Sequence, residues 1–229
     1  MEYPHNRPYT ADDLVRIITL LRDPVNGCPW DKVQTHTSIR MNFLEEAYET
    51  VDALDLDDPV LMCEELGDVL MQVAFHTCME QETGRFTWEQ VCDGVCQKLI
   101  ERHPNIFGTQ PGYEGITDWD ALKKKKKGRR TLADDLESVP RAMPALMRAA
   151  KLQKRAARHG AALQGADAAA LADAAENLQT AQPASAQAEQ AVGELLFAAA
   201  NLARQAGVDP EQALQKANEA FCTAAGPVA

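Results

Sequence analysis

The sequence predicts an all-α fold, and three of its features lead to this prediction. Strong helix formers, above all Ala, Leu, Glu and Lys, are abundant among the 229 residues, while aromatic residues make up only 6%. Apolar residues recur every three or four positions along most of the chain, which is the spacing of the buried face of a helix. No run of alternating β-branched residues is long enough to indicate a sheet. We therefore expect a helical bundle with ample room for a core.

Composition argues against several classes of protein. The formal net charge is -11 and the isoelectric point is near 4.9, which speaks against a broad basic surface for nucleic acid. No apolar stretch approaches the length of a membrane span, and the N-terminus lacks the basic and apolar regions of a signal peptide. We expect a cytoplasmic protein that binds no membrane.

The six cysteines lie mostly inside helical patterns and show no disulfide-framework spacing. Cys92 and Cys96 are one helical turn apart, which would suit half of a zinc site. No second pair accompanies them, so we expect packed free thiols instead.

The chain begins with a predicted helix and a loop. Thr10 is a suitable N-cap, and Leu14, Ile17 and Ile18 follow at the spacing of one helical face. Pro residues and an Asn-Gly pair then indicate a loop over residues 24–38. A loop of this size beside a charged hairpin often carries functional residues.

Ten carboxylates crowd residues 43–68, with no Lys, Arg or His among them. The apolar spacing predicts one helix up to about Leu54 and a second that begins at Pro59, for which Asp58 is a suitable N-cap. The second helix is expected to continue through Phe75. Because the residues after position 68 are apolar on most sides, this helix should be largely enclosed.

Four of these carboxylates form two pairs. Glu46 and Glu49 are three residues apart, as are Glu65 and Asp68, so each pair projects from one helix face. If the helices pack as an antiparallel hairpin, the pairs converge and their negative charges need compensation. Oxygen ligands without His or Cys suit Mg²⁺ or Mn²⁺ rather than zinc. Five of the six other acidic residues of the stretch are expected on the solvated face: Asp52, Asp55, Asp57, Asp58 and Glu64.

A further helix is predicted after Thr87. Four of its apolar residues are spaced for burial: Trp88, Val91, Val95 and Leu99. Lys98 and Arg102 lie on or near its exposed side. Residues 104–117 then indicate a loop, and the residues from 118 on a short helix that ends at Gly128.

The second half of the chain has a different composition. Residues 139–229 contain eight acidic and eight basic residues, so the first 138 residues carry the whole net charge. This half resembles a degenerate repeat of the first half. When Gly193 is aligned with Gly67, Ala191 falls where the first half has Glu65, and no Glu-Glu-x-x-Glu string precedes it. We therefore expect a degenerate helical repeat that holds no metal and serves packing or dimerisation.

The motifs around the carboxylates resemble those of a known family. EEAYE at 45–49 and EELGD at 64–68 are similar to the EExxE and ExxD motifs of the all-α nucleoside triphosphate pyrophosphohydrolases. Three flanking blocks narrow the resemblance to the MazG family: GCPWDKVQTHTSIRMNFLEEAYE at 27–49, GRFTWEQV at 84–91 and KLIERHPNIFG at 98–108. The resemblance is strong to about residue 160 and weak after it.

This resemblance implies an enzyme that hydrolyses nucleoside triphosphates to monophosphate and pyrophosphate and so cleans nucleotide pools. Glu46, Glu49, Glu65 and Asp68 would hold Mg²⁺, with Mn²⁺ possible, and Glu45 would orient or deprotonate the attacking water. The resemblance further implies these substrate-binding candidates: Trp30, Lys32, Gln34, Lys98, Arg102, Trp119 and Lys123. For Trp30 a second interpretation, a core anchor for its loop, stays open. A homodimer is also implied.

The expected organisation is a catalytic MazG-like domain over residues 1–127, a linker over 128–138 and the degenerate MazG-like domain over 139–229. MazG proteins of two domains commonly keep the full motif in their second half, and this chain departs from them. An alternative function is therefore a catalytically weak nucleotide-binding or regulatory scaffold descended from the enzyme. A di-iron carboxylate bundle would need Glu-x-x-His on two helices, which the sequence does not provide.

Overall fold

The computed structural model describes residues 3–5, 7–104, 106–108 and 131–226, and in these residues it shows nine α-helices, one 3₁₀-helix and no strand. The prediction of an all-α fold is confirmed. The described residues form two compact units, one up to residue 108 and one from residue 131. None of the helices in these ranges combines the length and the apolar character needed to cross a membrane.

The first unit is built around one long helix. Its elements are α1 Ala11–Leu21, the 3₁₀-helix Asp31–Val33, α2 Arg40–Asp55, α3 Pro59–Glu82 and α4 Trp88–Arg102. The helices α2 and α3 pack side by side as a hairpin, and α3 also contacts α1 and α4. Every other helix of this unit therefore packs on α3.

Capping residues fix the starts of three of these helices, as predicted. Thr10 and Thr87 each accept a hydrogen bond from the backbone N–H three positions on, and the side chain there bonds back to the cap. Asp58 accepts hydrogen bonds from two N–H groups of the first turn of α3, and Pro59 stands at the first helical position. These local signals set where α1, α3 and α4 begin, whereas Ile39, the residue before α2, makes no side-chain capping hydrogen bond.

The core of the first unit lies between α1, α3 and α4. Its buried residues are Ile18, Ile39, Ala74, Phe75, Cys78, Met79 and Trp88. The predicted enclosure of α3 is correct only for its second half, because its buried residues begin at Gln72. The predicted burial of Val95 and Leu99 is wrong for this unit, since each is 46% exposed. All six cysteines are free, but Cys96 is exposed rather than packed.

The second unit contains five helices in the described residues. They are α5 Leu132–Glu137, α6 Ala145–Arg158, α7 Ala168–Thr180, α8 Ala186–Gln205 and α9 Pro210–Ala225. The helices α7 and α8 form the hairpin of this unit, and α8 also packs against α6 and α9. Each unit is thus organised around one helix hairpin.

Helix α5 falls inside the segment predicted as a linker, yet it packs on α6. Asp135 is buried, and its carboxylate lies 3.4 Å from Nη1 of Arg155 and 3.3 Å from Nε2 of His159. Residues 132–137 are therefore an ordered part of the second unit. The other domain boundaries stay predictions.

Candidate active site

The α2–α3 hairpin brings three carboxylates together. One oxygen each from Glu46, Glu49 and Glu65 lies within 4.8 Å of the other two. Glu46 and Glu49 stand one turn apart on α2, and Glu65 faces them from α3. Glu49 is exposed and the other two are half-buried, so solvent and small ions can reach the cluster. We call these three residues the carboxylate cluster.

Asp68 adds negative charge to the same place. The pKa of Glu46 is raised by burial first and then by repulsion from Asp68 and Glu49. The pKa of Glu65 is also raised, by partial desolvation and by the charges of Glu49 and Asp68. Among the residues that the structure describes, no cation pairs with any of the four. The fold therefore holds them at an electrostatic cost that a bound cation would remove.

The donor set fits a hard divalent cation. The cluster offers only carboxylate oxygens, and Mg²⁺ and Mn²⁺ prefer oxygen ligands, whereas structural zinc sites use His and Cys. Elsewhere in the described ranges no other group of three potential ligands is close enough to hold a metal. The structure thus brings Glu46 and Glu49, which the sequence places on one helix face, close to Glu65 of the second predicted pair.

Gln72 is a polar neighbour of the cluster that the sequence analysis missed. Its Nε2 donates a hydrogen bond to Oε1 of Glu46 at 3.5 Å. The side chain is 7% exposed, and its own Oε1 is buried with no hydrogen-bond partner among the described residues. The available signal was its position four residues after Asp68, on the same face of α3.

Three further predicted residues lie on α2 and α4. Glu45 is exposed on α2, one position before Glu46, and does not belong to the carboxylate cluster. Lys98 is exposed and Arg102 half-buried on α4, the helix that packs on α3. Trp119 and Lys123 lie outside the described residues.

Arg22 fastens the loop that precedes α2. The guanidinium of this buried residue donates to both carboxylate oxygens of Glu82, at 2.6 and 2.8 Å. It also donates to the backbone carbonyls of Asp31 and Gln34, at 2.8 and 3.2 Å. One cation therefore ties the loop to the end of α3.

The side chains of this loop differ in exposure. Trp30 is 56% exposed, so its interpretation as a core anchor is wrong and its indole is accessible to a ligand. Lys32 and Gln34 are half-buried.

A chain of polar contacts connects the same loop to α3. Nε2 of His36 lies 2.6 Å from Oε1 of Glu80, and its Nδ1 lies 2.8 Å from Nδ1 of His76. Glu80 is buried, and its Oε2 forms an ion pair with Nε of Arg85 at 2.7 Å. The planes of the two imidazoles differ by only 5°. A gap of 2.8 Å between two nitrogens holds a proton and not a metal ion, which needs about 2.0–2.1 Å to each nitrogen.

The second unit has its own groove, of about 700 Å³, beside the α7–α8 hairpin. Four of its lining residues have polar side chains: Gln164, Asp173, Asn177 and Glu194. Ala191, which the sequence aligns with Glu65, is buried in α8. The groove therefore lacks a carboxylate at the position where the first hairpin has one.

Comparisons with known proteins point to one family. Residues 34–107 match the domain described as MazG nucleotide pyrophosphohydrolase domain. The chain is 41% identical over 219 residues to a protein of Escherichia coli (strain K12) named nucleoside triphosphate pyrophosphohydrolase, with 92% of this chain and 83% of that protein covered. It is 38% identical over 212 residues to a Thermotoga maritima protein named nucleoside triphosphate pyrophosphohydrolase/pyrophosphatase MazG, covering 92% and 82%. A Mycobacterium tuberculosis protein named nucleoside triphosphate pyrophosphohydrolase is 34% identical over 154 residues, covering 66% and 46%.

Proposed function

The chain belongs to the MazG family of nucleoside triphosphate pyrophosphohydrolases, and from that premise we propose that its first unit hydrolyses nucleoside triphosphates to nucleoside monophosphate and pyrophosphate. The observation that carries the proposal is the convergence of Glu46, Glu49 and Glu65 within 4.8 Å. Hydrolysis at the α-phosphorus forms a bond from the water oxygen to that phosphorus and breaks its bond to the bridging oxygen of the leaving pyrophosphate.

The carboxylate cluster and Asp68 would hold Mg²⁺, for which Mn²⁺ is a possible substitute. When bound, such an ion neutralises phosphate charge and lowers the pKa of a coordinated water. The raised pKa values of Glu46 and Glu65 support this role, because burial and the neighbouring carboxylates both disfavour the charged forms. The hairpin presents the ligands already in place, which spares reorganisation during the reaction.

The remaining candidates have roles that follow from their charge and position. We assign Glu45 to orienting or deprotonating the attacking water, since it is exposed beside Glu46. Lys98 and Arg102 would neutralise charge on the leaving pyrophosphate. The other substrate-binding candidates keep the roles that the family resemblance implies: Trp30, Lys32, Gln34, Trp119 and Lys123.

The test is to measure pyrophosphate against orthophosphate release from a panel of nucleoside triphosphates, with Mg²⁺ and with chelator. We expect metal-dependent release of pyrophosphate, and a loss of at least about a hundredfold in rate for Glu49→Gln. Asp52→Asn is the matched control, because Asp52 is exposed on the same helix and lies outside the cluster. Full activity in a folded Glu49→Gln protein, as judged by circular dichroism, would contradict the assignment.

One observation favours a second function, a nucleotide-binding scaffold without turnover. The second hairpin has the buried Ala191 where the sequence aligns Glu65 of the first, and we infer from this that the second hairpin holds no metal. Tight binding of Mg²⁺ and nucleotide without any phosphate release would support the scaffold. Pyrophosphate release would establish that the first hairpin suffices.

We further propose that the protein is a homodimer in the cytoplasm, where nucleoside triphosphates are its substrates. Apolar side chains of α2, α3 and α4 are at least 40% exposed in the single chain: Val51, Leu54, Val60, Leu66, Leu70, Val95 and Leu99. Exposed apolar residues in this number are typical of a surface that a partner covers. A second copy of the same helices would bury them.

A further inference from the structure

Gln72 lies in an apolar part of α3, and only one end of its side-chain amide has a hydrogen-bond partner among the described residues. It is 7% exposed, and its neighbours along the helix are Met71 and Val73. Its amide oxygen is buried and has no hydrogen-bond partner within the described ranges. A buried polar atom without a partner destabilises a fold, and such atoms are few in native structures. The position therefore calls for an explanation other than packing.

The only hydrogen bond of the Gln72 side chain in the described residues goes to the carboxylate cluster. Nε2 of Gln72 donates to Oε1 of Glu46 at 3.5 Å. An ionised carboxylate can only accept, so the amide must turn its nitrogen toward Glu46 and its oxygen away from it. The amide oxygen of Gln72 therefore points away from a partner because the amide nitrogen donates to Glu46.

The position of Gln72 on α3 explains why it reaches that carboxylate. Glu65, Asp68 and Gln72 are spaced by three and then four residues, so they line one face of the helix. That face is turned toward α2, since Glu65 meets Glu49 and Gln72 meets Glu46 across the hairpin. Gln72 forms the inner, buried end of this row.

From this geometry we propose that Gln72 is a positioning residue that holds Oε1 of Glu46 by a hydrogen bond and leaves Oε2 to bind the cation. The inference rests on the proposed metal-binding function of the cluster. Hydrogen bonds to metal-ligating carboxylates fix their orientation, and their loss typically lowers metal affinity or activity by about 10–100-fold. Gln72 itself touches neither metal nor substrate.

The experiment measures binding of Mn²⁺ alone, by electron paramagnetic resonance and calorimetry, to the full chain and to Gln72→Met. Methionine keeps the size and shape of the side chain and removes the donor. We expect the dissociation constant for Mn²⁺ to rise about 10–100-fold, while the unfolding midpoint in chelator stays the same or increases. A residue with a purely structural role would give the opposite pattern, a lower midpoint with unchanged affinity.

The second unit provides a matched control in Gln153. This glutamine is 1% exposed, and its Nε2 donates to the backbone carbonyl of Phe197 at 2.8 Å. Its Oε1 also lacks a partner in the part of the chain that the structure describes. It contacts no carboxylate in the described part of the chain. Gln153→Met should therefore leave Mn²⁺ affinity unchanged. If Gln72→Met fails to fold, Gln72→Asn serves instead, because its shorter amide keeps the polarity and cannot reach Glu46.

The outcomes separate this inference from the proposed function. If Glu49→Gln abolishes Mn²⁺ binding while a folded Gln72 variant binds within twofold of the wild type, the positioning role is overturned and the metal site stands. If the wild type binds no Mn²⁺, the metal site fails and the role of Gln72 fails with it. A weakened affinity in the Gln72 variant, with Gln153→Met unaffected, supports the proposal.

Discussion

Among single residues, His76 links the stability of the first unit to pH. Its pKa is lowered by burial and by the neighbouring His36, so the folded chain favours the neutral imidazole. In the unfolded chain His76 takes up a proton near its ordinary pKa of about 6.5. The free energy of unfolding is therefore expected to be fully retained above about pH 6.5 and to fall as the pH drops toward the lowered value.

Urea titrations at pH 7.5 and pH 5.5 measure this effect. Two charged groups lie around the imidazole pair, Glu80 and Arg85, and both are present in every variant. The substitution His76→Gln therefore isolates the contribution of His76 to the pH dependence of stability. We expect this substitution to flatten the dependence of stability on pH. His5→Gln is the control, since His5 is exposed and outside this network. An unchanged slope in His76→Gln would contradict the prediction.

At the scale of elements, the loop between α1 and α2 depends on Gly27. A Cβ at this position would lie 2.4 Å from the backbone oxygens of both Leu21 and Asp23, which cannot move without breaking the loop. We expect Gly27→Ala to lower the free energy of unfolding by about 1–3 kcal/mol, as overpacking does. Gly94→Ala is the matched control, because a Cβ there meets no atom within 4 Å and α4 would gain helix propensity.

Equilibrium unfolding in urea compares these two variants with the wild type. The prediction requires opposite signs, a loss of stability at Gly27 and a gain of up to about 1 kcal/mol at Gly94. Equal effects at the two glycines would mean that the loop can yield, and that the close approach at Gly27 has no energetic consequence.

The elements also show what a sequence can predict and what it cannot. Helix starts at Thr10, Asp58 and Thr87 were predictable, because a cap acts on the N–H groups two or three positions away. The pairing of Glu46 with Glu49 needed only the helical repeat. The bond from Gln72 to Glu46 spans 26 residues, so it depends on how α2 and α3 pack, which spacing alone does not fix.

At the scale of the whole molecule, the single chain leaves exposed some apolar residues that the sequence predicts to be buried. The helical spacing of Val95 and Leu99 predicted a buried face, but each is 46% exposed in the single chain. The sequence predicted the helix correctly, but the spacing of its apolar residues does not say which surface covers them. The same contrast holds on α3, whose first half exposes Leu66 and Leu70 while its second half is enclosed.

The last prediction follows from this exposed face. If two copies meet through α2, α3 and α4, a charge placed at Val95 must be desolvated in the dimer and not in the monomer. We expect Val95→Lys to weaken the dimer at least about tenfold, with unchanged helical content in circular dichroism. Sedimentation equilibrium over a range of concentrations measures the association. Gln97→Lys is the control, since Gln97 is a polar, exposed residue of the same helix.

The result also bears on the site, because α2 and α3 carry both the exposed apolar residues and the carboxylate cluster. Metal affinity should fall in Val95→Lys only at concentrations at which the dimer has dissociated, if the partner copy steadies the hairpin. A wild-type protein that sediments as a monomer at every concentration would contradict the dimer. The exposed face would then have to be covered by something other than a second copy.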